Sequence, residues 1–122
     1  MTTRFKMEDF YLKENDTRPI LEVALKNPDG SAHDLSGADS VTLNILLSTG
    51  TLLSRDMVID ADPTTGLVGY TWLTSDWTDG LVAGTHLMEY EVLDATGDVR
   101  MTFPNYGSDN LIVTADLGEA TP

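Results

Sequence analysis

The sequence predicts an all-β protein: a single immunoglobulin-like antiparallel β-sandwich of about eight short strands. Three observations lead there. Apolar and polar residues alternate with a period of two in separate stretches, most clearly at Val41, Leu43, Ile45 and Leu47. Clusters of Gly, Pro, Asn and Asp interrupt those stretches at intervals of roughly ten residues. No segment holds a helical apolar stripe for about three turns.

Taken in order, residues 1–9 read as an arm, residues 10–116 as the sandwich and residues 117–122 as a polar tail. Phe10, Tyr11 and Leu12 suit a first short strand. Asn15 to Pro19 is a turn cluster, with Arg18 held extended by the proline that follows. Residues 20–26 alternate, with Leu21, Val23 and Leu25 on one side. Asn27-Pro28-Asp29-Gly30 is a β-turn, and a short return through Ala32 and His33 leads to a second corner at residues 34–38. Val41 to Leu47 is the clearest core strand of the first half. After the Ser48-Thr49-Gly50-Thr51 turn, residues 52–60 are expected to form one strand, and residues 67–73 another with Val68, Tyr70 and Trp72 inward. Residues 74–81 suit a single helical turn capped by Thr74 or Ser75, with Asp76 close by.

The stretch that organises the rest is 84–105. His86, Met88, Tyr90 and Val92 fall at spacing two, with Glu89 and Glu91 between them, so one set is buried and the other wetted. Gly97 accepts positive φ and lets residues 99–103 return antiparallel; Pro104, lacking an N–H, ends the ladder. Residues 110–115 make the last strand. Val23, Leu43, Ile45, Tyr70, Trp72, Met88, Tyr90 and Val92 are expected to share one core.

Charge excludes some functions. Twenty acidic residues against seven basic ones give a net charge of −13, which repels phosphate backbones, so nucleic acid is not an expected partner. No apolar run approaches the roughly 20 residues of a membrane span, and the first residues lack the apolar centre of a signal peptide. With no cysteine, neither a disulfide nor a thiolate metal site is possible.

Catalytic candidates are thin. His33 and His86 are the only histidines, and no G-x-S-x-G is present. His86, between apolar neighbours on the inward side, reads as a hydrogen-bonded core residue; His33 reads as solvated. Glu89 and Glu91 lie roughly 7 Å apart on a solvent face, without the apolar pocket that would separate two carboxylate pKa values. Asp60, Asp62, Asp76 and Asp79 offer oxygen ligands that calcium favours, but they lack the calcium-loop pattern and fit turn capping better. Trp77 and Tyr106 are loop aromatics, too isolated for a sugar platform. The expectation is a non-enzyme with no cofactor, metal or small-molecule substrate. Interaction is expected through two apolar stretches: Phe5, Met7, Phe10 and Tyr11 near the start, and the consecutive Leu111, Ile112 and Val113 near the end. Trp77 and Tyr106 are added as loop contacts.

Several blocks resemble the N-terminal immunoglobulin-like domain of tailed-phage baseplate upper proteins and related minor tail proteins. They are Phe10 to Thr17 ahead of a proline, Leu25 to Gly30, Asp34 to Ala38, Thr65 to Trp72, and Ala83 through Val92 to Asn105. They follow that family's order and cover about residues 8–115. His86 stands where the family commonly has tyrosine, the return 99–103 is slightly longer, and no helical or receptor-binding part follows. The resemblance implies a virion structural role, assembled in the host cytoplasm as one of many copies among other virion proteins in a symmetric particle. Capsid decoration or a carbohydrate-binding module at a host surface is the alternative.

Overall fold

A computed structural model describes residues 9–104 and 107–115. Among these, nine strands run in the order β1 (Asp9–Lys13), β2 (Leu21–Ala24), β3 (Ala38–Leu46), β4 (Leu52–Asp56), β5 (Val58–Ile59), β6 (Leu67–Tyr70), β7 (Gly84–Asp94), β8 (Arg100–Phe103) and β9 (Asp109–Thr114). A 3-10 turn (Pro63–Thr65) precedes β6, and a short helix α1 (Thr74–Thr78) follows it.

The strands form the two layers of a β-sandwich. The larger sheet has the order β1-β9-β7-β3-β4, with β8 also paired to β7; the smaller is β2-β6-β5. β7 is the hub of the larger sheet. Leu87 to Asp94 pair with β3, while the other edge takes β9 along Gly84 to Met88 and β8 along Tyr90 to Leu93. All pairings are antiparallel except β1 with β9, which is parallel. That pair departs from the wholly antiparallel expectation. Its strands lie at opposite ends of the chain, so no crossover helix is needed to bring them alongside.

Alternation decides what each strand buries. Along β7, His86, Met88, Tyr90 and Val92 are buried while Leu87 and Glu89 are exposed. Along β3, Val41, Leu43 and Ile45 do the same against Leu46. These residues meet Leu21, Val68, Tyr70 and Trp72 from the smaller sheet's side, together with Phe103, Leu111 and Val113. Of the expected core set only Val23 is incompletely buried, and it packs against the cluster.

The expected single strand over 52–60 is two strands in different sheets. The chain leaves the larger sheet after Asp56 and joins the smaller at Val58. Met57, at the crossing, is buried and donates its N–H to Val41 O at 2.9 Å. The α1 cap also differs: the N-cap residue is Leu73, which has no side-chain oxygen, and its N–H is taken by the Asp76 carboxylate at 2.8 Å. At the far end of the smaller sheet Gly66 sits at φ +72°. A Cβ there would lie 2.7 Å from Leu25 O and 2.9 Å from His33 O, so only glycine fits.

Candidate functional site

Among the described residues three buried polar side chains are hydrogen-bonded inside the sandwich: Asp76, His86, and Asp109, which accepts from the Tyr90 hydroxyl at 2.8 Å. Asp76 is 1% exposed, and three donors meet its carboxylate. The Tyr70 hydroxyl lies 2.8 and 3.0 Å from its two oxygens, Leu73 N–H at 2.8 Å and Arg55 Nε at 2.7 Å. Arg55 reaches onward to Asp79 at 2.6 Å. The network ties β4 of one sheet to β6 of the other through α1. Burial, together with donation to the Asp76 carboxylate, pushes the Tyr70 phenol well above the ordinary tyrosine range. The hydrogen bond to Asp76 likewise holds the Arg55 guanidinium more firmly protonated.

His86 is fully buried and both ring nitrogens are engaged. Ser48 N–H can only donate, so Nδ1, 2.9 Å away, accepts; Val82 O can only accept, so Nε2, at 2.8 Å, carries the proton. The imidazole thus bridges β7 to the segments flanking it and has no nitrogen left for a substrate. His33, expected to be solvated, is half-buried: its Nδ1 lies 2.8 Å from Asn27 Oδ1 and its ring packs on Phe103 at 4.9 Å. The turn's own side chain and the end of β8 cover it, which a linear reading of residues 27–33 could not show.

The loop carboxylates are largely committed. Asp62 accepts from Thr64 N at 3.1 Å and Thr64 Oγ1 at 2.6 Å, and so caps the 3-10 turn. Asp29 and Asp34 do the same for Ser31 and Ser36; those hydroxyls, then the serine N–H groups, hold both carboxyls below the ordinary aspartate range. Asp94 is lowered first by Val99 N–H and then by the Thr96 hydroxyl. Among the described residues no three His, Cys, Asp or Glu side chains converge to hold a metal ion. Glu89 and Glu91 lie on the outer face, where Glu91 meets Arg100 at 3.5 Å.

The expected interaction residues separate. Leu111 and Val113 are buried in the core, so only Ile112 of that run reaches the outer face; the consecutive apolar run is a core strand covered by its own sheet. Phe10 packs towards Trp72, ring centroids 6.1 Å apart, whereas Tyr11 is 60% exposed on the outer face. Trp77 is half-buried, and its indole N–H donates to Asp16 O at 3.1 Å. Phe5, Met7 and Tyr106 lie outside the described residues.

What the sequence did not single out is a row of leucines. Leu46 of β3 stands directly opposite Leu52 of β4 and Leu87 of β7. All three point away from the core and are 46%, 59% and 41% exposed. They line a shallow hollow with Asn44, Glu89, Gly107 and Ser108. Along the same row Leu87 pairs with Asn110, and Asn110 with Asp9; Tyr11 and Ile112 stand side by side in the next outward row. Alternation in β3 suggested the inward residues but hid these, because which outward residues become neighbours depends on register.

No protein-family model and no curated protein matches the chain. Among solved structures it is similar to CopC from Methylosinus trichosporium OB3b, at 16% identity over 90% of this chain and 86% of that one, with a TM-score of 0.51. The likeness is one of fold, and it agrees with the β-sandwich. It speaks against the virion role that the baseplate resemblance implied, and that role is not carried further: the fold finds a likeness in CopC, which is not a tail, baseplate or head protein. The carbohydrate-binding alternative falls with it, since Tyr70 and Trp72 are buried and Trp77 is tied to Asp16.

Proposed function

We propose that this chain is a non-catalytic protein-binding module that recognises its partner with the outer face of the larger sheet. The observation that carries this is the leucine row: three large apolar side chains, exposed and in register, on the open face of a sheet whose other face is fully used by the core. Contiguous exposed apolar surface is what water least tolerates and what a partner most gains from covering. Glu89 borders the row, and the chain as a whole carries −13. Two copies would therefore repel each other, and the partner that fits presents apolar side chains flanked by Lys or Arg. A non-catalytic role is supported by the histidines, both held in internal contacts.

The test uses a peptide of alternating Leu and Lys as probe and its Leu–Glu counterpart as control, followed by amide NMR. Binding of the Lys peptide should shift Asn44, Leu46, Leu52 and Leu87, weaken with salt, and fall at least tenfold in Leu46→Ser. Equal binding of both peptides, or shifts centred elsewhere, overturns the reading.

A further inference from the structure

The leucine row continues into an apolar band that crosses the whole larger sheet. Leu52, Leu46 and Leu87 stand in register on β4, β3 and β7. Ile112 of β9 is the diagonal neighbour of Leu87, because Leu87 pairs with Asn110 and Ile112 with Thr85; such neighbours lie about 7–8 Å apart. Tyr11 of β1 stands beside Ile112 and, 60% exposed, ends the band. From β4 to β1 the band crosses four strand spacings, roughly 19 Å at about 4.8 Å each. Its two long borders differ. Asp9, Glu89, Asn44 and Ser54 follow one of them, and Glu91 and Asp56 flank Thr42 in the row behind. The other border has Thr85, Thr114 and Lys13, and residues 47–51 of the β3–β4 turn add no carboxylate. The face is thus an apolar strip with negative charge along one side.

Spacing selects the shape that fits. Along the row, apolar positions recur at the strand spacing of about 4.8 Å. Same-side residues of an extended peptide recur at roughly 6.7 Å and fall out of step within two positions. Residues three and four apart on a helix rise roughly 4.5 and 6.0 Å, so a helical apolar stripe stays in step with the strands beneath it. With its side chains a helix is about 10–12 Å wide, enough for the stripe to rest on the band while one flank overhangs the acidic border. We propose that the partner's binding segment is an amphipathic α-helix laid across the strands, with Lys or Arg along the flank that faces Asp9 and Glu89. At 1.5 Å per residue, a band of roughly 19 Å calls for about 13 residues. This rests on the reading of the leucine row as the recognition surface, and adds the partner's shape, its direction across the sheet and the placement of its charges.

The experiment offers the full chain three peptides of identical Leu, Lys and Ala content. One has Leu at helical spacing with Lys along one flank, one has the same Leu stripe with Lys on the opposite face, and in the third Leu and Lys alternate. The one-flank helix should bind at least tenfold more tightly than the alternating peptide and several-fold more tightly than the opposite-face helix. It should gain helicity by circular dichroism on binding, and shift the amides of Tyr11 and Ile112 together with those of Leu46, Leu52 and Leu87. Glu89 is exposed, so Glu89→Lys leaves the core untouched; it should erase the preference between the two helices. Tyr11→Ser should weaken the one-flank helix at least fivefold. Equal binding of the alternating peptide, equal binding of the two helices, or shifts that stop short of Ile112 and Tyr11 would each overturn the proposal and leave the leucine row standing as the recognition surface. Shifts of the same amides on raising the protein concentration alone would make a second copy the occupant, and overturn it as well. Binding of none of the three peptides defeats the row and the helix together.

Discussion

Removing the Asp76 carboxylate should be among the most damaging single changes in this protein. In Asp76→Ala the Tyr70 hydroxyl, the Leu73 N–H and the Arg55 Nε all lose their acceptor at once. Breaking a buried, hydrogen-bonded ion pair by removing one partner costs about 3–5 kcal/mol, because the remaining groups stay buried and unmatched. The neighbouring Arg55–Asp79 contact adds little: the Asp79 side chain is 52% exposed, where water screens such pairs to about 0–1 kcal/mol. At roughly 4 °C per kcal/mol for a chain of this size, Asp76→Ala should lower Tm by about 12–20 °C. Urea unfolding, followed by circular dichroism and by tryptophan fluorescence, measures the loss. A double-mutant cycle with Arg55→Met should return a coupling of about 1–3 kcal/mol. A cost below about 1 kcal/mol for Asp76→Ala, or a coupling near zero, would refute the account of Asp76 as the tie between the two sheets.

Other expectations follow from neighbouring groups. Tyr70 keeps its proton more firmly folded than unfolded, so its contribution is complete below the unfolded tyrosine pKa of about 10 and is lost as pH rises above it. A Tm-versus-pH scan should accordingly fall above about pH 10, and the fall should flatten in Tyr70→Phe. Trp72 is 1% exposed, yet its Nε1–H has no hydrogen-bond partner. Trp72→Ala should cost about 3–5 kcal/mol. In Trp72→Phe the relief of a buried unmatched donor, about 1–3 kcal/mol, offsets much of the lost packing. Equal losses in the two variants by urea unfolding would show that the indole N–H is satisfied. For His86, long-range nitrogen–proton NMR should find the proton on Nε2. His86→Leu, which strands Ser48 N–H and Val82 O, should lose about 2–4 kcal/mol in thermal or urea unfolding.

The amino-acid sequence by itself determined the class of fold and most of the core. Period-two alternation in residues 41–47 and 86–92 places side chains on one side of a strand or the other whatever the strand pairs with, so Leu43, Ile45, Met88 and Tyr90 were legible as buried. Gly97 and Pro104 marked the hairpin for the same local reason: each constrains its own backbone. Tertiary structure decided what depends on distant parts of the chain. The break of residues 52–60 into β4 and β5 depends on where two sheets lie relative to each other, not on any breaker in the sequence. Asp76 looked like a helix-cap residue and became the meeting point of β4, β6 and α1, because Arg55 is brought to it from 21 residues away. Leu111 to Val113 looked like an exposed edge, but pairing with both β1 and β7 placed two of the three in the core. The leucine row was the least visible. Leu46, Leu52 and Leu87 each occupy an ordinary outward position, and only the register of three strands makes them one surface. Local periodicity fixes which way a side chain faces; which neighbours it acquires is set by pairing between segments far apart in the chain.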